Sequence, residues 1–199
     1  MLAWACMQPA SQTSEKVKSN HVPNQESNVR IITGAEQMSL YLPQLSGKKV
    51  GLIINQTAQI NGVSLADTLQ SSGVDIRAIF GPEHGFRGNA DAGEKVGNYT
   101  DKKTGIPVIS LYGAKHAPSA ADLKDLDILI FDIQDVGVRF YTYTITLVDV
   151  MEACAKNNKT LMILDRPNPN GKLIDGPILQ SEFKSGVGMH RIPIGHGLS

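Results

Sequence analysis

Cysteine is scarce: the 199 residues contain two, Cys6 and Cys154, too few for a disulfide framework or a cysteine-built metal site. Charge of one sign is lacking as well. Nineteen basic and nineteen acidic residues cancel, so nothing marks a partner such as nucleic acid or an anionic bilayer, and a neutral or small ligand suits the balance better. Beyond residue 28 no apolar run is long enough to span a bilayer, and no internal repeat is visible. Two phosphate-binding signatures are missing, Gly-x-Gly-x-x-Gly after the first strand and a Gly-Lys-Ser/Thr loop, so no nucleotide cofactor is expected. Glu83, His84, Asp132 and Asp135 are competent metal ligands, but no two histidines stand at a metal-binding spacing, which puts a metal-dependent hydrolase last among the candidate readings.

What is present is a composition of 41% hydrophobic and 19% charged residues, enough to bury the core of one medium α/β domain. The amino terminus stands apart. Leu2-Ala3-Trp4-Ala5-Cys6 resembles the end of a bacterial lipoprotein signal, in which the cysteine is acylated, although it lacks a basic start and its apolar stretch is short. Residues 8–28 are polar and read as a tether, so residues 1–28 are expected to be signal remnant and tether, and residues 29–199 the folded domain. That arrangement implies a periplasmic or cell-envelope location, with a membrane tether through acylated Cys6.

From Val29 onward, apolar strands alternate with helical patterns. Thr33 and Glu36 form a capping-box pattern opening a helix through Leu42, which Pro43 is expected to stop. Lys49–Ile54 is a continuous apolar strand; Ser64 and Asp67 suggest a second capping box, with Leu65, Ala66 and Leu69 as the buried face and Gly73 as the stop. Strands follow at Val74–Phe80, Pro107–Leu111, Asp127–Asp132 and Lys159–Leu164. Ser119 and Asp122 cap a short helical turn, and residues 142–157 form the longest helix, with Leu147, Val148, Met151 and Cys154 at helical spacing. Helices between strands predict a Rossmann-like, doubly wound, mostly parallel sheet covered on both faces.

Ligands of such sheets bind beyond the carboxyl ends of the strands. Here those ends carry Asn55 and Gln56, Glu83 and His84, Tyr112, the Asp132-Gln134-Asp135 cluster, and Asp165 with Arg166. Turn formers alone would satisfy the backbone there, so carboxylates at three of the five ends exceed what folding requires. The densest end is Gly81-Pro-Glu-His-Gly-Phe-Arg-Gly88, where glycines and a proline forbid regular structure around a carboxylate, an imidazole and a guanidinium.

That octapeptide occurs in order with Gly51-Leu-Ile-Ile-Asn-Gln-Thr57, Asp91-Ala-Gly-Glu94, Thr104-Gly-Ile-Pro-Val108, Ser110-Leu-Tyr-Gly113, Phe131-Asp-Ile-Gln-Asp-Val-Gly-Val-Arg-Phe-Tyr-Thr-Tyr143, Leu164-Asp-Arg-Pro-Asn-Pro-Asn-Gly171 and Asp175-Gly-Pro177. With these motifs, the chain from about Ile31 onward closely resembles the exo-β-N-acetylmuramidase family. The resemblance implies a glycoside hydrolase that releases terminal N-acetylmuramic acid from peptidoglycan fragments, in cell-wall turnover or recycling. It also implies a Rossmann-like first domain and a second domain, with the cleft between them. The chain stops at Ser199, where members of the family continue, so it is expected to be truncated, and an inactive fragment or a non-catalytic muropeptide-binding module is the alternative function.

Within that resemblance, Glu83 is the expected proton donor. The second role falls to a carboxylate or to the sugar's own acetamido group; Asp132, Asp135 and Asp165 compete for it, with Asp132 and Asp135 placed first. The simpler possibilities are that Asp132 caps backbone amides and that Asp165 and Arg166 form a structural ion pair. His84 either orients Glu83 or binds a sugar hydroxyl. Arg87, Arg139 and Arg166 suit the lactyl carboxylate that distinguishes N-acetylmuramic acid from N-acetylglucosamine. Asn55 and Gln134 supply amides, and Tyr141 with Tyr143 forms either a sugar platform or part of the core.

Overall fold

The computed structural model describes residues 30–83, 85–88 and 97–198. Cys6, His84 and the Asp91–Glu94 motif lie outside the described residues. The strands are β1 Lys49–Ile54, β2 Gln59–Ile60, β3 Val63–Ser64, β4 Asp75–Gly81, β5 Tyr99–Thr100, β6 Pro107–Ser110, β7 Ile128–Asp132, β8 Thr160–Ile163, β9 Ile174–Asp175 and β10 Gly195–His196. The α-helices are α1 Met38–Leu45, α2 Leu65–Ser71, α3 Ala120–Leu123 and α4 Tyr143–Lys156. Among the described residues, no helix is long and apolar enough to cross a membrane.

Six strands form the main sheet in the order β5-β6-β4-β1-β7-β8. All neighbours pair in parallel except the short edge strand β5, which runs antiparallel to β6. β1 and β7, central in the sheet, are apolar on both faces, and every described face needs a cover. Tyr41, Leu45, Leu65 and Leu69, from α1 and α2, pack with Val50, Leu52, Ile54, Ile79 and Ile130 on one side. Leu123 of α3 and Val150, Ala153 and Cys154 of α4 pack with Ile53, Phe80, Leu129 and Phe131 on the other. The alternation of β1, β4 and β7 thus divides one sheet between two apolar layers.

Four local expectations need correction. The Thr33–Glu36 motif forms a turn rather than a helix start: Glu36 Oε2 accepts from Thr33 N and Oγ1 at 2.8 and 3.1 Å, while α1 begins at Met38. Pro43 lies inside that helix, because Tyr41 and Leu45, four residues apart, are both buried and their packing carries the chain past the missing N–H. Ser64 precedes α2 without a side-chain cap bond, since Asp67 is engaged by Arg87 and Lys103. In α4 the buried face is Tyr143, Ile145, Val150, Ala153 and Cys154, whereas Met151 is exposed. The helix lies rotated from the stripe that Leu147 and Met151 suggested. The Ser119–Asp122 capping box forms as expected.

Two glycines are fixed by close approach. The Gly34 N–H donates to Asp165 O at 2.7 Å, and a Cβ there would stand 2.5 Å from Asp165 N. Gly137 has φ +78°, and the Asn168 side chain occupies the space a Cβ would need. Both contacts draw the segment after β8 toward the rest of the carboxyl edge. The residues beyond it, 172–198, add the antiparallel pair β9–β10, in which Gly195 pairs with Asp175.

Candidate active site

The parallel strands run β6-β4-β1-β7-β8 across the sheet, so chain order reverses between β1 and β7, and that is where a ligand crevice opens in this topology. Asn55 and Gln134 follow those two strands. Asn55 is 2% exposed, and its Oδ1 accepts from Thr57 N at 2.9 Å and from the Thr57 hydroxyl at 2.5 Å. The same hydroxyl accepts from Gln134 N at 3.0 Å, and Gln134 Nε2 donates to Asp135 O and Pro167 O at 2.6 and 2.9 Å. These amides tie three strand ends together.

The arginines are spent on protein groups. Arg166 makes a two-pronged ion pair with fully buried Asp132, through Nε and Nη2, and Nη2 also donates to Gln59 O at 3.2 Å. Burial pushes the Asp132 carboxyl up, and Arg166 pulls it back. Arg166 thus pairs with Asp132 rather than with its neighbour Asp165, whose side chain is exposed. Arg87 lies 4.5 Å from the Phe86 ring centre and donates to both oxygens of Asp101 at 2.8 Å and to Asp67 at 3.1 Å. Those bonds, led by Arg87, hold the Asp101 carboxyl well below the usual carboxylate range. Arg139 donates to Pro177 O at 2.9 Å and to Ile192 O at 2.5 Å. Three forks that suit a ligand carboxylate are therefore used to brace loops.

The remaining candidates fall into separate clefts. Glu83 lines a cleft of about 440 Å³ together with Tyr112, His116, Tyr143 and Asp149. The β4–β6 register pairs Gly81 with Ser110, which sets Glu83 level with Tyr112, and Glu83 raises the Tyr112 pKa through a side-chain hydrogen bond. A second cleft of about 540 Å³ holds Asp135, Asp165 and Arg166 against an apolar wall that includes Phe131, Leu147 and Val148. Tyr143 lines both. A third recess of about 230 Å³ contains Asn55, Gln56 and Arg87. Asp132, Gln134, Arg139 and Tyr141 line none of these three.

Glu83 and Asp132 do share one sheet edge, two strands apart, which is about 10 Å in strand spacing. They serve opposite faces. Asp132 continues the alternation of Ile128 and Ile130 and acts on Tyr41, whose hydroxyl pKa is pushed up to about 12, by burial first and then by Asp132. Glu83 lines its cleft with Leu111, which belongs to the other apolar layer.

Of the side chains at these clefts, His196 and Asp149 were not singled out from sequence, whereas Tyr143 was. His196 is buried, with Nε2 3.1 Å from Asp135 Oδ2 while its Nδ1 accepts from Leu198 N at 3.2 Å. That acceptor bond places the ring proton on Nε2, which lies close to the carboxylate without a hydrogen bond to it. Tyr143 packs edge-to-face on Tyr141 with ring centres 4.9 Å apart. Burial raises the Tyr143 pKa, Asn55 lowers it, and Tyr141 and Glu83 raise it further. Its hydroxyl therefore sits in the field of two strand ends. Tyr143, expected as a sugar platform or as core, is buried in the apolar layer and also lines both larger clefts; Asp149 and His196 had no local signal.

Comparison with known proteins places this geometry. Residues 50–199 match the family model described as exo-β-N-acetylmuramidase NamZ, N-terminal. The chain is 50% identical over 162 residues to the peptidoglycan β-N-acetylmuramidase NamZ of Bacillus subtilis (strain 168), covering 80% of this chain and 39% of that protein. Two crystal structures of DUF1343 family proteins from Bacteroides fragilis NCTC 9343 superpose with TM-scores of 0.74 and 0.75 at 48% and 42% identity. They cover 84% and 83% of this chain, and 43% and 42% of theirs. The chain thus spans about two-fifths of the length of these relatives. By its sequence motifs, its doubly wound sheet and the match over residues 50–199, the chain belongs to the NamZ exo-β-N-acetylmuramidase family, in that family's amino-terminal region.

Proposed function

We propose that the chain carries the proton-donating cleft of an exo-acting β-N-acetylmuramidase, a glycosidase that removes terminal N-acetylmuramic acid from peptidoglycan fragments during cell-wall turnover or recycling. The observation that carries this reading is Glu83 at the carboxyl edge of the sheet, in a cleft large enough for a sugar ring and hydrogen-bonded to Tyr112. Support comes from the half-identical relative described as a peptidoglycan β-N-acetylmuramidase. Glycosidic cleavage leaves negative charge on the departing oxygen and positive charge at the anomeric carbon. Glu83, as the carboxylic acid, protonates that oxygen as the bond breaks. Tyr112 holds the carboxyl in place, and the ring of Tyr143 closes the cleft beside it. The proposed location is the cell envelope, with Cys6 as the acylated anchor; mass spectrometry of the mature amino terminus tests this, and an unmodified Cys6 overturns it.

The test of the activity is hydrolysis of a chromogenic N-acetylmuraminide against its N-acetylglucosamine counterpart, with Glu83→Gln alongside. The muraminide is cleaved and the glucosaminide is not. Glu83→Gln keeps shape and hydrogen bonding but has no proton to give, so turnover falls about 10²- to 10⁴-fold. A dinitrophenyl leaving group needs less protonation and recovers part of that loss. Undiminished turnover in Glu83→Gln would falsify the reading; muropeptide binding without any turnover by the unaltered chain would make it a binding module.

A further inference from the structure

A glycosidase cleft needs a second group, because the positive charge at the anomeric carbon has to be met by a carboxylate or by the sugar's own acetamido group. The three aspartates expected from sequence are placed elsewhere. Asp132 is fully buried and paired with Arg166. Asp135 accepts from Gly137 N at 2.9 Å, faces His196 and lines the neighbouring cleft, as does Asp165. The aspartate that shares the cleft with Glu83 is Asp149.

We propose that Asp149 is the second carboxylate of the Glu83 cleft, an anion that faces the anomeric carbon while Glu83 serves the leaving oxygen. This rests on the glycosidase reading given above. α4 presents Thr142, Tyr143, Thr146 and Asp149 to the cleft, and the three- and four-residue steps between these positions are those of one helix face. Tyr143 is fixed by its packing on Tyr141 and its burial in the apolar layer, so the helix that holds it also sets the height of Asp149. Among the described residues, the Asp149 carboxylate takes part in no hydrogen bond or ion pair, whereas Asp67, Asp101, Asp122 and Asp132 are all engaged. Half-buried and unengaged, it is available to a ligand. Burial raises its carboxyl, His116 opposes that, Glu152 reinforces it, and His190 and Lys156 oppose it; positive charge on a ring carbon in the cleft would favour the anion again.

In the reaction the C1–O bond breaks and its electron pair stays on the leaving oxygen. Glu83 gives that oxygen its proton. Asp149 stabilises the charge left on the ring carbon, and water bonds to that carbon while its proton passes to the Glu83 carboxylate, which restores the acid. Asp149 acts at the carbon and not at the leaving oxygen, so its removal should be insensitive to leaving-group quality, unlike that of Glu83.

The experiment compares Asp149→Asn, Glu83→Gln and the surface control Asp125→Asn in the full chain. The readouts are turnover of muraminides with good and poor leaving groups, and calorimetric affinity for a cationic N-acetyl iminosugar that mimics the charged ring. Asp149→Asn should lose about 10²-fold or more in turnover, by the same factor for both substrates, and about tenfold or more in iminosugar affinity per folded molecule. A purely structural role would lower the folded fraction and leave that affinity unchanged. Iminosugar affinity within about twofold of the unaltered chain, a difference of under 0.5 kcal/mol, overturns the proposal whatever the turnover. If Glu83→Gln alone is silent, the acid assignment fails and Asp149 stands.

Discussion

At the scale of single residues, the arginines show how a side chain suited to a ligand can be claimed by the fold. Arg166 was expected to pair with Asp165 or with a ligand carboxylate, and nothing local said that it would meet Asp132 instead. They meet because β7 and β8 are parallel neighbours, which brings the end of one strand beside the segment leaving the other. The pair is expected to behave as a staple: Arg166→Met leaves Asp132 buried without its counter-charge and should cost about 3–5 kcal/mol in urea unfolding. Replacing both partners with apolar residues of similar volume should cost much less, and equal losses in the single and double variants would show that the pair itself does not carry the effect. Glu83 was legible for the opposite reason. A carboxylate between Pro82 and a glycine-rich turn has no helix or strand to serve, so its residue type points toward solvent chemistry.

At the scale of elements, β1 was read to the residue because its burial on both faces leaves a continuous apolar signature. β8 was read nearly as well, although its lateral position at the sheet edge was not visible, since strand order depends on contacts far apart in sequence. α1 was misjudged where local propensity and tertiary burial disagree. Pro43 removes one intrahelical bond, and the helix continues because Tyr41 and Leu45 have a core to enter. Pro43→Ala should therefore raise stability, by about 1 kcal/mol or more, measured as a higher urea midpoint at unchanged slope. A fall in stability would mean that Pro43 is needed to set the chain leaving α1. α4 was found but rotated: Val148 lines a cleft, Leu147 lines it from the margin of the apolar layer, and Met151 is exposed. The same rotation brings Asp149, which nothing in the sequence singled out, to the Glu83 cleft.

At the scale of the whole molecule, zero net charge concealed a specific arrangement. Asp67, Asp101, Asp122 and Asp127 have carboxyls lowered in the fold by hydrogen bonds and by Arg or Lys partners, against opposing desolvation. A lowered folded value means stability that is present above the ordinary carboxylate value of about 4 and lost as pH falls through the folded values. Asp132 and Asp149, raised by burial, act in the opposite sense, gaining slightly on acidification. The four lowered groups outnumber them, so urea stability should hold from pH 7 to about 5 and fall below about 4. Asp101→Asn should be less stable at neutral pH and show a shallower acid limb; an unchanged limb would remove Asp101 from the account. One ring connects the two larger clefts: Tyr143 is a wall of each. Because the ring is held on Tyr141 and buried in the apolar layer, it is a rigid partition, and a substitution that shortens it would enlarge both spaces together and open one into the other.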